Sequence, residues 1–506
     1  MKFNVFKKEP VKMRNHEGAV AYKTSAELEL YTAVVTASLS PSFYEKESAR
    51  LERIVTLVHR VDPVFVAKLA VYCRESMYLR SVPLVLITEL SKVHNGDSLV
   101  SKATSKVIQR ADEITELLAY YQLSNLRTGD KQLNRLSKQV QKGVAQAFNK
   151  FDEYQFAKYN RKTQVTFKDA LFLTHPKAVS ETQQALFDKI IEDRLETPYT
   201  WEVELSALGQ KEYANKAAKA AALKAKWEEL IESGQLGYMA LLRNLRNILY
   251  AGVSSRVIKV VATQLGDAKA VRRSKQLPFR YLAAYNELKS LQLKHVGYVL
   301  NALEKAVKAS AANISGFDLS TRVLLAADVS GSMFTAVSGQ SKIRCYDVGL
   351  ILSQLLAARS DNVVTGIFGD RWKEINLSGK AILSNVRQLD SLEGEVGYST
   401  NGYKVIDALI ASRRKMDKVM FFTDMQMWDS HGGRSHLATS WDRYKKQVAP
   451  KASMYLFDLT GYGSTPLQVK RNDVFLIAGW SDKIFDVLNA IEKGGDAIAK
   501  IKSIAL

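Results

Sequence analysis

The sequence predicts a multidomain chain in which an all-α region of serial helices precedes an α/β doubly wound, Rossmann-like domain. Three observations carry this. Nearly every segment between residues 26 and 312 has the apolar spacing of a helix. Near Ser310 to Leu319 the composition shifts to Ala, Ser, Asn and Gly, and beyond it strand-like and helix-like runs alternate. Finally, Asp328-Val329-Ser330-Gly331-Ser332 follows the apolar run Val323-Leu324-Leu325-Ala326-Ala327. That run reads as a buried parallel strand, so the motif occupies the sheet edge where open α/β folds bind ligands.

Taken in order, residues 1–25 read as a Lys-rich extended arm, and 26–315 as the helical domain. Leu51, Ile54, Val55 and Val58 fall at i, i+3, i+4 and i+7. Asp62-Pro63 opens the next helix with an N-cap and a proline at the first helical position. Leu241, Leu242, Leu245, Ile248 and Leu249 form a further apolar stripe, and Pro278 starts a helix with Phe279, Leu282, Tyr285 and Leu288 on one face. Short breaks such as His94-Asn95-Gly96 separate medium-length helices, the pattern of an α-solenoid or a large bundle. The Ala- and Lys-rich stretch from Lys211 to Leu230 reads as a solvated helix. In the last domain, residues 320–506, the strand candidates are Val323–Asp328, Val363–Phe368, Val419–Asp424, Ser453–Asp458 and Val474–Ala478. The helix candidates are Tyr346–Ala358, Tyr403–Arg414, Trp441–Val448 and Lys483–Glu492.

Composition narrows the function. With 506 residues, 46% of them hydrophobic, the chain can fill roughly two to four cored domains. Its formal charge is +20, and residues 321–506 hold 24 Lys and Arg against 19 Asp and Glu, so most of the excess lies upstream. That asymmetry fits a polyanionic partner for the helical region. Cys73 and Cys345 are the only cysteines, which argues against a disulfide framework or a zinc site. The first residues lack the apolar core of a signal peptide, and Val82–Ile87 is too short to span a bilayer. The chain is expected to be cytoplasmic and monomeric, without a membrane partner.

The chemistry gathers on three loops. Asp328, Ser330 and Ser332 end the first strand, Thr400 precedes a helix, and Asp424 ends the strand Val419–Asp424. All three belong to one sheet edge in a doubly wound fold. Oxygen-only ligands suit a hard divalent cation, Mg²⁺ above all. Neutral hydroxyls leave its charge under-compensated and favour an acidic group from a partner. D-x-S-x-S on its own is equally an Asp-capped serine turn; its strand context, Thr400 and Asp424 favour the ion site. No P-loop and no His or Cys nucleophile constellation is present, so the chain is expected not to be an enzyme.

Residues 320–506 resemble a von Willebrand factor A domain with a metal-ion-dependent adhesion site. The resemblance implies that Ser330, Ser332 and Thr400 ligate the ion directly and that Asp328 and Asp424 act directly or through water. That family often has Thr-Asp where this chain has Thr400-Asn401. Upstream, Leu241-Leu242-Arg243-Asn244-Leu245, the Pro278-Phe279 helix start and the run from Lys168 to Lys177 resemble the TROVE module of the Ro autoantigen family. The likeness covers nearly the whole chain, the first 130 residues in general pattern. It implies a ring of HEAT-like helical repeats closed by the A domain, binding small noncoding Y RNAs on a basic outer surface. Single-stranded ends of misfolded RNAs would enter the central hole, for RNA quality control.

The same resemblance places Lys158, Lys162 and His175 at RNA-contact positions. Lys162 stands where the family more usually has Arg, exchanging a bidentate fork for a point charge. His175 precedes Pro176 and could equally cap a helix end. Further basic candidates are Arg243 and Arg246, which with Asn244 and Asn247 lie opposite the apolar stripe of their helix. Arg272, Arg273, Lys275 and Arg280 cluster around a helix start, and Arg74 and Arg80 flank Tyr78. The leading reading is an RNA-binding ribonucleoprotein component that could recruit an exoribonuclease or another protein through the A domain. The alternative is a Mg-dependent protein-interaction scaffold in which the A domain binds an acidic partner.

Overall fold

The computed structural model describes residues 12–37, 47–127, 136–161, 163–310, 320–337, 341–377, 381–430, 436–469, 473–480, 484–492 and 496–506. The linker expected at Ser310–Leu319 falls, after Ser310, outside them, as does Lys162. The described residues belong to two compact units, one within Met1–Leu57, Leu277–Ala283 and Ala311–Lys500, the other within Val58–Gln276, Ala284–Ser310 and Ile501–Leu506.

The helical unit is built by stacking helices on near neighbours in sequence, often with one or two helices skipped. Pro63–Glu75 packs on Ser81–Val93 and on Leu99–Val107, which in turn packs on Lys138–Phe148. Lys216–Glu232 packs on Ser255–Gly266, which packs on Val296–Ser310. The Asp62 carboxylate accepts from Phe65 N (3.0 Å), satisfying a helix-end donor as the sequence predicts. Phe65, Leu69 and Tyr72 on that helix are buried, each contributing about 1.5–3 kcal/mol by leaving water. Gly143 permits the close approach of Lys138–Phe148 to Leu99–Val107: a Cβ there would lie 2.7 Å from the Ser101 carbonyl oxygen. Of the Ala- and Lys-rich helix, Trp227, Leu230 and Ile231 are buried.

The other unit is organised by a six-stranded sheet. Its strands, preceded by β1 (Lys12–Arg14) and β2 (Val20–Lys23), are β3 (Val323–Asp328), β4 (Val363–Phe368), β5 (Trp372–Glu374), β6 (Lys418–Thr423), β7 (Ser453–Asp458) and β9 (Val474–Ala478). The order is β5-β4-β3-β6-β7-β9. Strand β3 runs parallel to both β4 and β6, so the winding reverses beside it. That switch point leaves a crevice at the carboxyl ends of β3 and β6, where Asp328 and Asp424 lie. Strand β3 is buried throughout, and helix Cys345–Ala357 packs across β3, β4 and β6.

Four features depart from the expected pattern. The sheet is not all parallel, because β5 pairs antiparallel with β4 at the edge. A helix at Ile382–Asp390 was not foreseen. The arm expected at 1–25 is, from Lys12, a hairpin of β1 and β2, with β2 paired to β8 (Ser464–Thr465). Helix Ala26–Val35, read from sequence as the start of the helical domain, lies in the sheet-containing unit. There the Tyr31 hydroxyl donates to Ala478 O (3.0 Å) and accepts from Ala478 N (3.1 Å). Among the described residues no helix is long and apolar enough to cross a membrane.

Candidate functional site

The tips of β3 and β6 bring the predicted oxygen ligands together. Ser330, Ser332 and Thr400 line one cavity of about 430 Å³ with Asp370, Trp428 and Glu17. The two serine hydroxyls are 3.2 Å apart. The Asp328 loop is tied to the Thr400 loop by Gly331 N, which donates to Tyr398 O (3.1 Å). The Asp424 loop is tied to it by Trp428 N, which donates to Thr400 O (3.2 Å).

Asp328 and Asp424 are buried beside this cavity. Asp328 Oδ1 accepts from Ser330 N (2.9 Å) and Oδ2 from the Thr423 hydroxyl (2.6 Å). Burial nevertheless pushes Asp328 up to about 6, against those bonds. Asp424 Oδ1 accepts from Gln426 N (3.0 Å). Burial and the neighbouring Asp328 charge raise Asp424 to about 7. Its Oδ2 is buried with no hydrogen-bond partner. Two desolvated carboxylates, one with an orphaned oxygen, next to three hydroxyls could hold a hard cation. Among the described residues no group of three or more His, Cys, Asp or Glu converges, so neutral oxygens dominate the cage.

Two acidic residues of the cavity escaped the sequence reading. Asp370 follows the end of β4 and was detectable by the strand-end rule that found Asp328 and Asp424. Its loop sits against the Thr400 loop because Gly369 and Gly397 allow it: a Cβ on Gly369 would lie 2.2 Å from Gly397 O. Glu17 had no local signal, since only the pairing of β2 with β8 brings the hairpin here. Asn401 is fully buried and staples the loop. Its Nδ2 donates to Asp370 O (3.1 Å) and Ser430 Oγ (2.7 Å), and its Oδ1 accepts from Ser430 N (2.9 Å).

The helical unit holds the basic candidates. Lys158 is exposed on helix Glu153–Tyr159, with its ammonium 5.6 Å from the Tyr154 ring centre and 5.8 Å from that of Tyr159. With Tyr154, Trp201, Tyr238, Ala240 and Ser274 it lines a cavity of about 270 Å³. That cavity joins the helix of Lys158 to the start of the Arg243 helix, Tyr238–Tyr250, and to the end of the Arg272 and Arg273 helix, Ala268–Ser274. His175 is exposed and caps Phe167–Thr174 in the left-handed region, at φ 47°, so the capping role open in the sequence is realised.

Several candidates need correction. Arg246 is exposed but paired with Glu287 (2.9 Å). Asn244 faces inward rather than away from the stripe, donating to Ala240 O (2.9 Å). Arg272 and Arg273 are exposed in the last turn of Ala268–Ser274, where the dipole favours cations, and the expected helix start at Pro278 follows them. Arg74 is buried against Glu113 (2.7 Å), and Arg80 pairs with Asp112 (2.8 Å), so both serve packing.

Comparison with known proteins agrees with the two-part fold. The sequence matches the family described as TROVE domain over residues 26–222 and 192–324, and the Ro60 vWA domain over 322–491. Telomerase protein component 1 of Rattus norvegicus and of Mus musculus are each 24% identical over 323 residues, 48% of this chain. The matched segment is 12% of those much longer relatives. The crystal structure of the Deinococcus radiodurans RO (RSR) protein aligns with a TM-score of 0.58 at 19% identity, over 93% of this chain and 100% of that one.

Proposed function

The chain belongs to the TROVE-domain family with a Ro60-type vWA domain, and from that premise we propose that it is a non-catalytic RNA-binding ribonucleoprotein component. Its ligands would be small noncoding RNA of the Y type and single-stranded ends of misfolded RNA. The observation that carries this is the Lys158 cavity, lined by that cation, by Tyr154, Trp201 and Tyr238, and by ends of the helices that bear Arg243, Arg272 and Arg273. Phosphates meet the exposed Lys158, Arg243, Arg272 and Arg273, while unstacked bases find Tyr154 and Trp201. Arg246 would have to give up Glu287 to join them.

Binding to a structured RNA with and without a single-stranded 3′ tail, in a salt series, tests the reading. Tight, salt-sensitive binding that Lys158→Glu with Arg243→Glu weakens at least tenfold is the expected result. Equally weak binding of both RNAs at low salt would overturn it.

A second reading is favoured by the orphaned Asp424 oxygen beside the hydroxyl cage. Ser330, Ser332 and Thr400, backed by Asp328 and Asp424, would hold a divalent cation such as Mg²⁺. The ion would supply a positive centre for an acidic group of another protein, for example an exoribonuclease. The two readings separate in one variant: Ser332→Ala leaves RNA affinity unchanged but abolishes cation-dependent protein capture.

A further inference from the structure

We infer that a second polar cavity in the sheet-containing unit binds the hydrogen-bonding edge of an uncharged nucleobase. It shares no residue with the Lys158 cavity or with the cation loops.

The cavity measures about 320 Å³ and is lined from helix Cys345–Ala357, strand β4 and helix Ile382–Asp390. It lies toward the amino end of β4, whereas the cation loops follow the carboxyl ends of β3 and β6. Three polar side chains of its wall are more than nine-tenths buried: Gln354 is 1% exposed, Asn385 7% and Thr365 8%. They form a relay whose sense is fixed. The Ser353 hydroxyl donates to Leu350 O (2.8 Å), so toward Gln354 Nε2 (3.5 Å) its oxygen accepts. Gln354 Nε2 therefore faces Ser353 and also donates to Thr365 Oγ1 (3.3 Å). Gln354 Oε1 faces the other way and accepts from Asn385 Nδ2 (3.3 Å).

Both ends of this relay stop at the cavity. Thr365 Oγ1 is taken as an acceptor, so its hydrogen is left to donate, and it meets no acceptor among the described residues. Asn385 keeps its second Nδ2 hydrogen and an Oδ1 that accepts from no described residue. A network that only stapled two helices to a sheet would end on protein atoms, because unmade bonds at buried polar groups are costly. A carboxamide with one donor and one acceptor to spare is the bidentate complement of a nucleobase edge, and Thr365 offers a third bond. Ala357, Ala358, Val364 and Ile375 give the ring apolar surface. The charged groups on the wall are Asp361 and Glu374, the latter paired with Arg414 (2.8 Å), so the cavity disfavours a phosphate.

The test titrates the full chain with adenosine, guanosine, cytidine and uridine in turn, by calorimetry and saturation-transfer NMR at millimolar concentration. At least one nucleoside should bind. Thr365→Val should weaken it about tenfold, and Thr365→Ser, which keeps the hydroxyl, should not. Ala358→Phe fills the cavity without touching the relay and should abolish binding at an unchanged melting temperature. A tetranucleotide that competes with the nucleoside would assign the site to a base of an RNA strand, and one that does not would assign it to free nucleosides; both support the site. No binding of any nucleoside, or binding that Ala358→Phe leaves intact, would overturn it. Neither result touches RNA binding by the helical unit, which Lys158→Glu with Arg243→Glu reads separately.

Discussion

Asn401 occupies a position where only an amide meets the local demand. It donates to Asp370 O and Ser430 Oγ and accepts from Ser430 N, and a carboxylate cannot donate. Asn401→Asp would set an acceptor against the Asp370 carbonyl in a buried loop, so we expect a loss of about 1–3 kcal/mol, read as a lower urea midpoint. Thr423→Val removes the donor to Asp328 Oδ2 and should cost a similar amount, about 1–3 kcal/mol, with added Mn²⁺ recovering part of it. Unchanged midpoints would show these bonds to be dispensable. The convergence of Ser330, Ser332 and Thr400 was legible because each ends a strand or begins a helix. Asp370 obeyed the same rule but lacked a motif around it. Glu17 was illegible, since nothing within its own segment points to a partner in another part of the chain.

Among elements, helices were read well where caps and stripes coincide. Pro63–Glu75 starts where Asp62-Pro63 predicts, and Asp62→Ala should cost about 0.5–2 kcal/mol in chemical unfolding. The Arg74–Glu113 pair is a harder constraint, since Glu113 is fully buried and also accepts from Gln109 N (2.8 Å) and Arg110 N (3.1 Å). Glu113→Ala strands the Arg74 charge and should cost about 3–5 kcal/mol; a loss below 1 kcal/mol would mean that water replaces the carboxylate. The strands that escaped detection, β1, β2, β5 and β8, span two to four residues. A period-2 pattern cannot be recognised over that length. They exist because a tertiary edge was available, not because local sequence demands them.

For the whole molecule, the +20 charge sets the expected thermodynamics of RNA binding. Counterion release makes affinity fall with salt at a log–log slope of about −0.7 per phosphate contacted on a single strand. Lys158→Glu with Arg243→Glu should therefore lower the affinity and flatten the slope by at least one contact. Unaltered slope with reduced affinity would assign those residues to bases rather than phosphates. The helical class and the doubly wound sheet were both legible from periodicity. The division into compact units was not, because the first described helix, Ala26–Val35, has the same pattern whether it packs on helices or on a sheet.

The hairpin that carries Glu17 also imposes a timetable. Asn15 finds Met427 across 412 residues, and Tyr31 finds Ala478 across 447. At ribosomal speeds of about 5–20 residues per second, the hairpin waits on the order of 20–80 s for its partners to be made. During synthesis β2 has an unpaired edge where β8 will join it, and the Tyr31 helix an uncovered apolar face. Nascent chains should be most vulnerable to proteolysis and chaperone capture at this early segment, and released from both only once β8 and β9 have emerged.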